Sequence, residues 1–284
     1  MHKSLTVPAL IVAAYAGLPA IAAPTPFVET FDDATTDFTF ISQASSGGFT
    51  VAGGELNLFV NGGRSATFGG GDTYIAAASV AIDDPINPGF TLTADLTFPN
   101  DGQFANTRGD VYLAAGGTDL ADNPFLPSEG LVDAGYAIGI TQDTLGGFSD
   151  VDSSLRLFAN GVELDSLKIN ETDTAVGDSV IGDFIGQPLQ LTLTGVDDGL
   201  GGLTLTGTLL NTNTTDSISV TGNVAAADLA LGDQAGIRVR METGNDYEFN
   251  LDNFGLTVVP EPGSMALCLL SGSLMLARRR RSAK

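Results

Sequence analysis

The stretch from Leu189 to Leu210 reads LQLTLTGVDDGLGGLTLTGTLL. Leucine alternates with Thr or Gln on both sides of a centre made of Asp197, Asp198, Gly199, Leu200, Gly201 and Gly202. A period of two places Leu189, Leu191, Leu193, Leu203, Leu205 and Leu209 on one face of the extended strands and the Thr and Gln residues between them on the other. The Asp/Gly cluster breaks the alternation and supplies the φ values and side-chain acceptors that a turn needs. The stretch is therefore a β-hairpin with one apolar face, and that face needs a second layer to cover it.

The same pattern recurs through the chain. Alternating or β-branched runs occupy Phe38–Ile41, Glu55–Val60, Tyr74–Ile82, Phe90–Phe98, Gly109–Ala115 and Ala134–Ile140. They continue at Ser154–Ala159, Asp216–Val220, Gly236–Met241 and Leu251–Val259. With the two strands of the opening hairpin, this predicts about a dozen strands. Asn160-Gly161 marks a second hairpin, because both residues accept positive φ in a two-residue turn. Helix signals are confined to Val224–Gly232, where a short turn could end at Gly232. The fold class expected is all-β, a two-sheet antiparallel jelly-roll sandwich.

The two ends read differently. Met1–Ala22 has a basic Lys3, an apolar run from Leu5 to Leu18, and Ala20 and Ala22 in the small-x-small pattern of a signal-peptidase site. It predicts a signal helix at 1–22, with the sandwich at 23–258. The tail at 259–284 runs Pro260-Glu261-Pro262, then an apolar segment from Met265 to Ala277, then Arg278, Arg279, Arg280 and Arg281. This 13-residue segment, interrupted by Ser271-Gly272-Ser273, falls short of the roughly 20 apolar residues that span a bilayer comfortably. The guanidiniums resist translocation. The tail is thus a short C-terminal transmembrane helix suited to transient insertion. In this order the three parts resemble the PEP-CTERM sorting signal of Gram-negative bacteria. The resemblance implies export machinery and an exosortase as partners, with Pro260, Glu261 and Pro262 as recognition residues. It further implies processing at both ends and release to the cell envelope, cell surface or extracellular matrix. A plain membrane anchor on a proline-containing stalk is the alternative.

Charge and composition exclude several functions. Removing both ends leaves 6 basic against 33 acidic residues, a net charge of −27. Such a body repels nucleic acid and anionic membrane surfaces. The only His is His2 and the only Cys is Cys268, and there is no Trp. A Ser-His-Asp triad, a cysteine nucleophile, disulfides and imidazole- or thiolate-based metal sites are therefore excluded from the body. About 235 residues suffice for one substantial core without them.

Four segments, Glu29–Asp33, Leu157–Leu164, Gly236–Arg240 and Phe249–Val258, resemble concanavalin A-like and laminin-G-like jelly rolls. The resemblance implies that the first and last strands pair, bringing Glu29, Asp32 and Asp33 toward Asp252 and Asn253. Clustered carboxylates repel unless a cation neutralises them, and calcium accepts six to eight oxygens. Glu29, Asp32, Asp252 and Asn253 are therefore candidate ligands of a structural calcium. Solvated turn acids, with Asp252-Asn253 forming a bulge, are the alternative. Asp150 and Asp152 begin like a calcium loop but lack its Gly and distal Glu. Gly69–Asp72 is half of a calcium-binding repeat that occurs only once.

Glycosidase chemistry needs two placed carboxylates, and the nearest cluster is Glu242, Asp246 and Glu248. With 33 acids in the body, such clusters arise by chance. Tyr74, Tyr112, Tyr136 and Tyr247 are the tyrosines on which a sugar could stack. The sequence points to a non-enzymatic structural or adhesive surface protein. A calcium-assisted module for extracellular polysaccharide is the second reading, and a glycosidase the third.

Overall fold

The terminal strands close the fold. In the computed structural model, Phe27–Glu29 (β1) runs antiparallel to the last strand, with Phe27 opposite Leu256 and Glu29 opposite Phe254. The structure describes residues 27–32, 38–42, 47–60, 74–82, 86, 89–97, 109–117, 135–143, 152–170, 187–241 and 247–258. The signal segment, the Pro260–Pro262 motif and the arginine tail lie outside these residues. No helix among the described residues is long and apolar enough to cross a membrane.

Fifteen strands are described, against the dozen expected. In chain order the next six are β2 (Thr39–Ser42), β3 (Gly47–Ala52), β4 (Glu55–Val60), β5 (Tyr74–Ala81), β6 (Gly89–Thr97) and β7 (Gly109–Gly117). Then come β8 (Tyr136–Asp143), β9 (Asp152–Ala159), β10 (Val162–Asn170), β11 (Pro188–Asp197) and β12 (Leu203–Asn211). The last three are β13 (Ser217–Val224), β14 (Gln234–Met241) and β15 (Tyr247–Val258). The helical signal near Val224 is a single 3₁₀ turn, Ala226–Asp228.

The strands form two antiparallel sheets. The first has the order β13-β12-β11-β6-β15-β4-β3, with β1 also on β15. The second has the order β10-β9-β8-β7-β14-β5-β2. Alternation sends Leu92, Leu96, Leu191, Leu193, Leu205 and Leu209 from the first sheet against Val111, Leu113, Ile138, Leu155, Leu157 and Ile237 from the second. One continuous core results, which is how a sandwich of this size holds together without disulfides.

Both expected hairpins form. Asn160 (φ 47°) and Gly161 (φ 78°) make the turn from β9 to β10, as a primed two-residue turn requires. At the β11–β12 turn, Asp198 Oδ1 accepts hydrogen bonds from the Leu200 and Gly202 amides, and Asp197 Oδ1 accepts one from Gly199.

The last strand carries the most informative irregularity. Its buried residues are Phe249 and Leu251, then Phe254 and Leu256. The parity changes between them because the register against β6 shifts between Asp252 and Gly255. Asn253 takes a left-handed φ of 48°, a conformation that asparagine tolerates better than most residues. The bulge turns Phe254 inward, where its ring packs edge-on against Phe38 at 5.0 Å and Phe27 at 6.2 Å. The bulge alternative for Asp252-Asn253 is thus the observed backbone, and it locks the terminal strands into the core.

The outer faces of the two sheets differ. On the second, Tyr112, Ala114, Ala137 and Phe158 form a separate buried cluster. Tyr112 and Phe158 meet edge to face at 5.8 Å. The Arg156 guanidinium lies 5.1 Å over the Phe158 ring and pairs with Glu163. The Tyr112 ring lies over Gly139, where a Cβ would clash with it. On the first sheet, the outward residues of β6, β11, β12 and β13 are half-buried or exposed, and most are Thr, Ser, Gln or Asn.

Candidate functional site

The bulge in β15 gathers polar groups at one end of the first sheet. Asp252 lies opposite Asp95 of β6, and Gln190 of β11 lies on the other side of Asp95. Asn253 bridges the two acids. Its Nδ2 donates to Asp95 Oδ2 at 2.9 Å and to Asp252 Oδ2 at 3.0 Å, and its backbone N–H donates to Asp252 Oδ1 at 2.6 Å. Gln190 Nε2 donates to Asp95 Oδ1 at 3.0 Å. One row further along the strands, Asn57 Nδ2 donates to Asn250 Oδ1 at 2.8 Å.

Asp95, Asn250 and Asp252 border a shallow groove of about 210 Å³. Glu55, Asp95, Thr97, Thr212, Asn250 and Asp252 supply its polar groups, and Leu96, Pro188, Leu189 and Leu251 its apolar ones. Burial pushes Asp252 above the usual carboxylate range. The hydrogen bond from the Asn253 amide opposes this, and the charges of Asp95 and Asp32 add to it. The groove is thus a concentration of acceptors that repel one another, only partly neutralised by amide donors. A ligand rich in O–H donors meets that demand.

The structure distributes the candidate calcium ligands as follows. Asp252 and Asn253 sit together at the bulge. Asp32 is close enough for its charge to act on Asp252, and a side chain built at Gly54 would touch its Oδ1. Asp32 also accepts from Thr30 Oγ1 at 2.9 Å. Glu29 is engaged locally, its Oε1 accepting from the Phe31 amide at 2.9 Å. Among the described residues, no three His, Cys, Asp or Glu side chains stand together as a metal-holding group. Asn253 meets the carboxylates with its amide nitrogen, a hydrogen-bond donor. Asp95 and Gln190 were not singled out from the sequence. Each is one polar position in an ordinary alternating strand, and only long-range register brings them to Asp252.

Tyr112 and Tyr136 are buried. Tyr136 stacks on Phe90 at 5.6 Å, and its hydroxyl accepts from the Ala230 amide at 2.9 Å; both tyrosines are core residues in this fold. The side chains of Tyr74, Tyr247 and Glu248, together with Asp33, Gly69–Asp72, Asp150, Glu242 and Asp246, lie outside what is described. So do Ala20, Ala22, Pro260, Glu261, Pro262 and Arg278–Arg281.

No family model matches this sequence, and no curated protein matches it either. Its fold, however, is that of lectin-type β-sandwiches. The lectin UEA-II, solved in complex with galactose, superposes with a TM-score of 0.51 at 14% identity, covering 82% of this chain and 98% of that one. The Bauhinia forficata lectin, in complex with GalNAc, gives 0.51 at 12% identity, covering 82% and 97%. The CBM2 module of an evolved Dit protein from Lactobacillus casei BL23 phage J-1 gives 0.51 at 11% identity, covering 82% and 96%.

Proposed function

We propose that this chain is an exported, non-enzymatic surface or matrix protein whose sandwich holds glycans. The single observation that carries the reading is the groove at the β15 bulge. There carboxylate and amide groups of Asp95, Asn250 and Asp252 converge on a lectin-type framework, with Asn253 holding Asp95 from beside it. Carboxylates accept sugar hydroxyls strongly, and neighbouring amides both donate and accept. Residues held on paired strands keep this geometry without reorganising. The net charge of −27 repels uronate- or sulfate-rich chains, so the ligand is an uncharged glycan.

The groove is smaller than the ~300 Å³ at which ligand pockets usually begin. It holds about one sugar unit, and retention at a surface comes from many copies acting together. The exported location follows from the resemblance of the two ends to a signal peptide and a PEP-CTERM tail, with export machinery and an exosortase as the partners implied.

A glycan array tests the binding reading. Wild type is expected to retain neutral glycans, and Asp95→Ala to lose them while melting cooperatively. An array blank for both proteins would overturn it. Intact-mass measurement of the secreted protein tests the sorting reading: loss of residues 1–22 and of Arg278–Arg281 is expected, and a surface form retaining those arginines contradicts it.

The calcium-assisted version of the reading is favoured by one observation, the register that sets Asp252 opposite Asp95. A cation there would raise the melting temperature in millimolar calcium, since a ligand at 100 times its Kd adds about 2.7 kcal/mol. Asp252→Asn would remove the rise. An unchanged melting temperature leaves the amide donors as the sole neutralisers.

A further inference from the structure

Beyond the groove, the outer face of the first sheet continues as a grid of hydroxyls. One cross-strand row is Thr257, Thr91, Thr194, Thr206 and Thr221, each in register with the next. The adjacent row is Thr93, Thr192, Thr208 and Ser219. The row after that is Asp252, Asp95 and Gln190, whose two acids line the groove. Strand spacing sets neighbours within a row about 4.8 Å apart, and rows about 6.7 Å apart along the strands.

Threonine alone would mean little, because it favours strands. The distribution of charge means more. The body carries 33 acids, yet neither hydroxyl row contains one. The outer edge of the other sheet carries Glu163, Asp165 and Lys168 on β10, and Asp165 Oδ2 meets the outer end of the first row, where it accepts from the Thr221 amide at 3.0 Å. Thr221, Ser219 and Thr257 are exposed and the rest are half-buried, so the hydroxyls reach the surface.

Resting on the glycan reading above, we infer that this grid is an extended binding face for a long, uncharged polysaccharide chain whose end unit sits in the groove. A hydroxyl both donates and accepts, so it pairs with sugar hydroxyls in either sense. Each neutral hydrogen bond adds only about two- to tenfold in affinity. The rows offer no aromatic for stacking. A short sugar therefore gains little, and a chain that meets many hydroxyls at once gains the product. Strand pairs in such a sheet twist by roughly 20–25°. That twist takes the grid out of register with a rigid plane such as ice within a few strands, whereas a polysaccharide chain can follow it.

The test uses the full secreted protein with a panel of neutral polysaccharides (cellulose, chitin, mannan and β-1,3-glucan) and their trisaccharides. Wild type is expected to bind at least one polysaccharide ten or more times tighter, per site, than its trisaccharide. The double variant Thr194→Lys/Thr206→Lys is expected to lose that gain while keeping trisaccharide affinity. Thr194→Ser/Thr206→Ser is expected to retain it. A lysine variant that binds the long chain as wild type does, while Asp95→Ala abolishes all binding, would overturn the extended face and leave the groove reading standing. Failure of wild type with every member of the panel would overturn both. Thermal hysteresis without polysaccharide binding would assign the grid to ice and overturn the inference as well.

Discussion

The outer faces of the two sheets are built on the same strand geometry and serve opposite ends. On the second sheet, Tyr112, Phe158 and Arg238 are each only 1% exposed, packed over alanine and glycine positions such as Ala114, Ala137 and Gly139. On the first, threonines occupy the equivalent outward positions and remain accessible. The first face therefore contributes less to stability, while the second acts as a small accessory core. A strand's outward residues are thus not surface by default; the size of the neighbours decides.

Several measurements can break or sharpen that contrast. The largest effect expected is from Tyr112→Ala, which should cost about 3–5 kcal/mol in denaturant unfolding, as large-to-small core changes do. A cost below 1 kcal/mol would show the ring to be a surface group. Gly139→Ala should cost about 1–3 kcal/mol, because the new Cβ meets the Tyr112 ring. Tyr136→Phe should also cost about 1–3 kcal/mol, by leaving the Ala230 amide without its acceptor.

Asp252→Asn sharpens the groove end of the first sheet. The folded pKa of Asp252 is raised above 3.8. Its stabilising contribution is therefore present below that value and is lost as pH rises through the folded pKa. The variant should melt higher than wild type at pH 7, with the gap shrinking as pH falls through the folded pKa of Asp252 and gone below about 4. A gap independent of pH would remove the charge explanation. The smallest effect expected is from Thr206→Ala, within about 0.5 kcal/mol of wild type. A larger loss would make the hydroxyl face structural.

Most of the sandwich was legible from alternation and from two turns, Asn160-Gly161 and Asp197–Gly202, because period and turn chemistry are local. β1 and β3 were not. β1 is three residues long, and β3 opens with Gly47-Gly48, which reads as loop. The bulge left a trace in the spacing of Phe249, Leu251, Phe254 and Leu256, a parity change around Asn253. Asp95 and Gln190 left none, since nothing near either residue shows which strand will lie beside it. The hydroxyl rows were likewise invisible until the register aligned five separate strands. The functional content of the ends was carried by sequence alone.

The central claim is that the outer face of the first sheet is where glycan binds. Threonine methyl NMR spectra of the protein, titrated with a neutral polysaccharide, test it directly. Thr91, Thr194 and Thr206 should shift with a common binding curve while Thr141, on the second sheet, stays in place. Shifts centred on Thr141, or saturation with no threonine of the first sheet moving, would contradict the account.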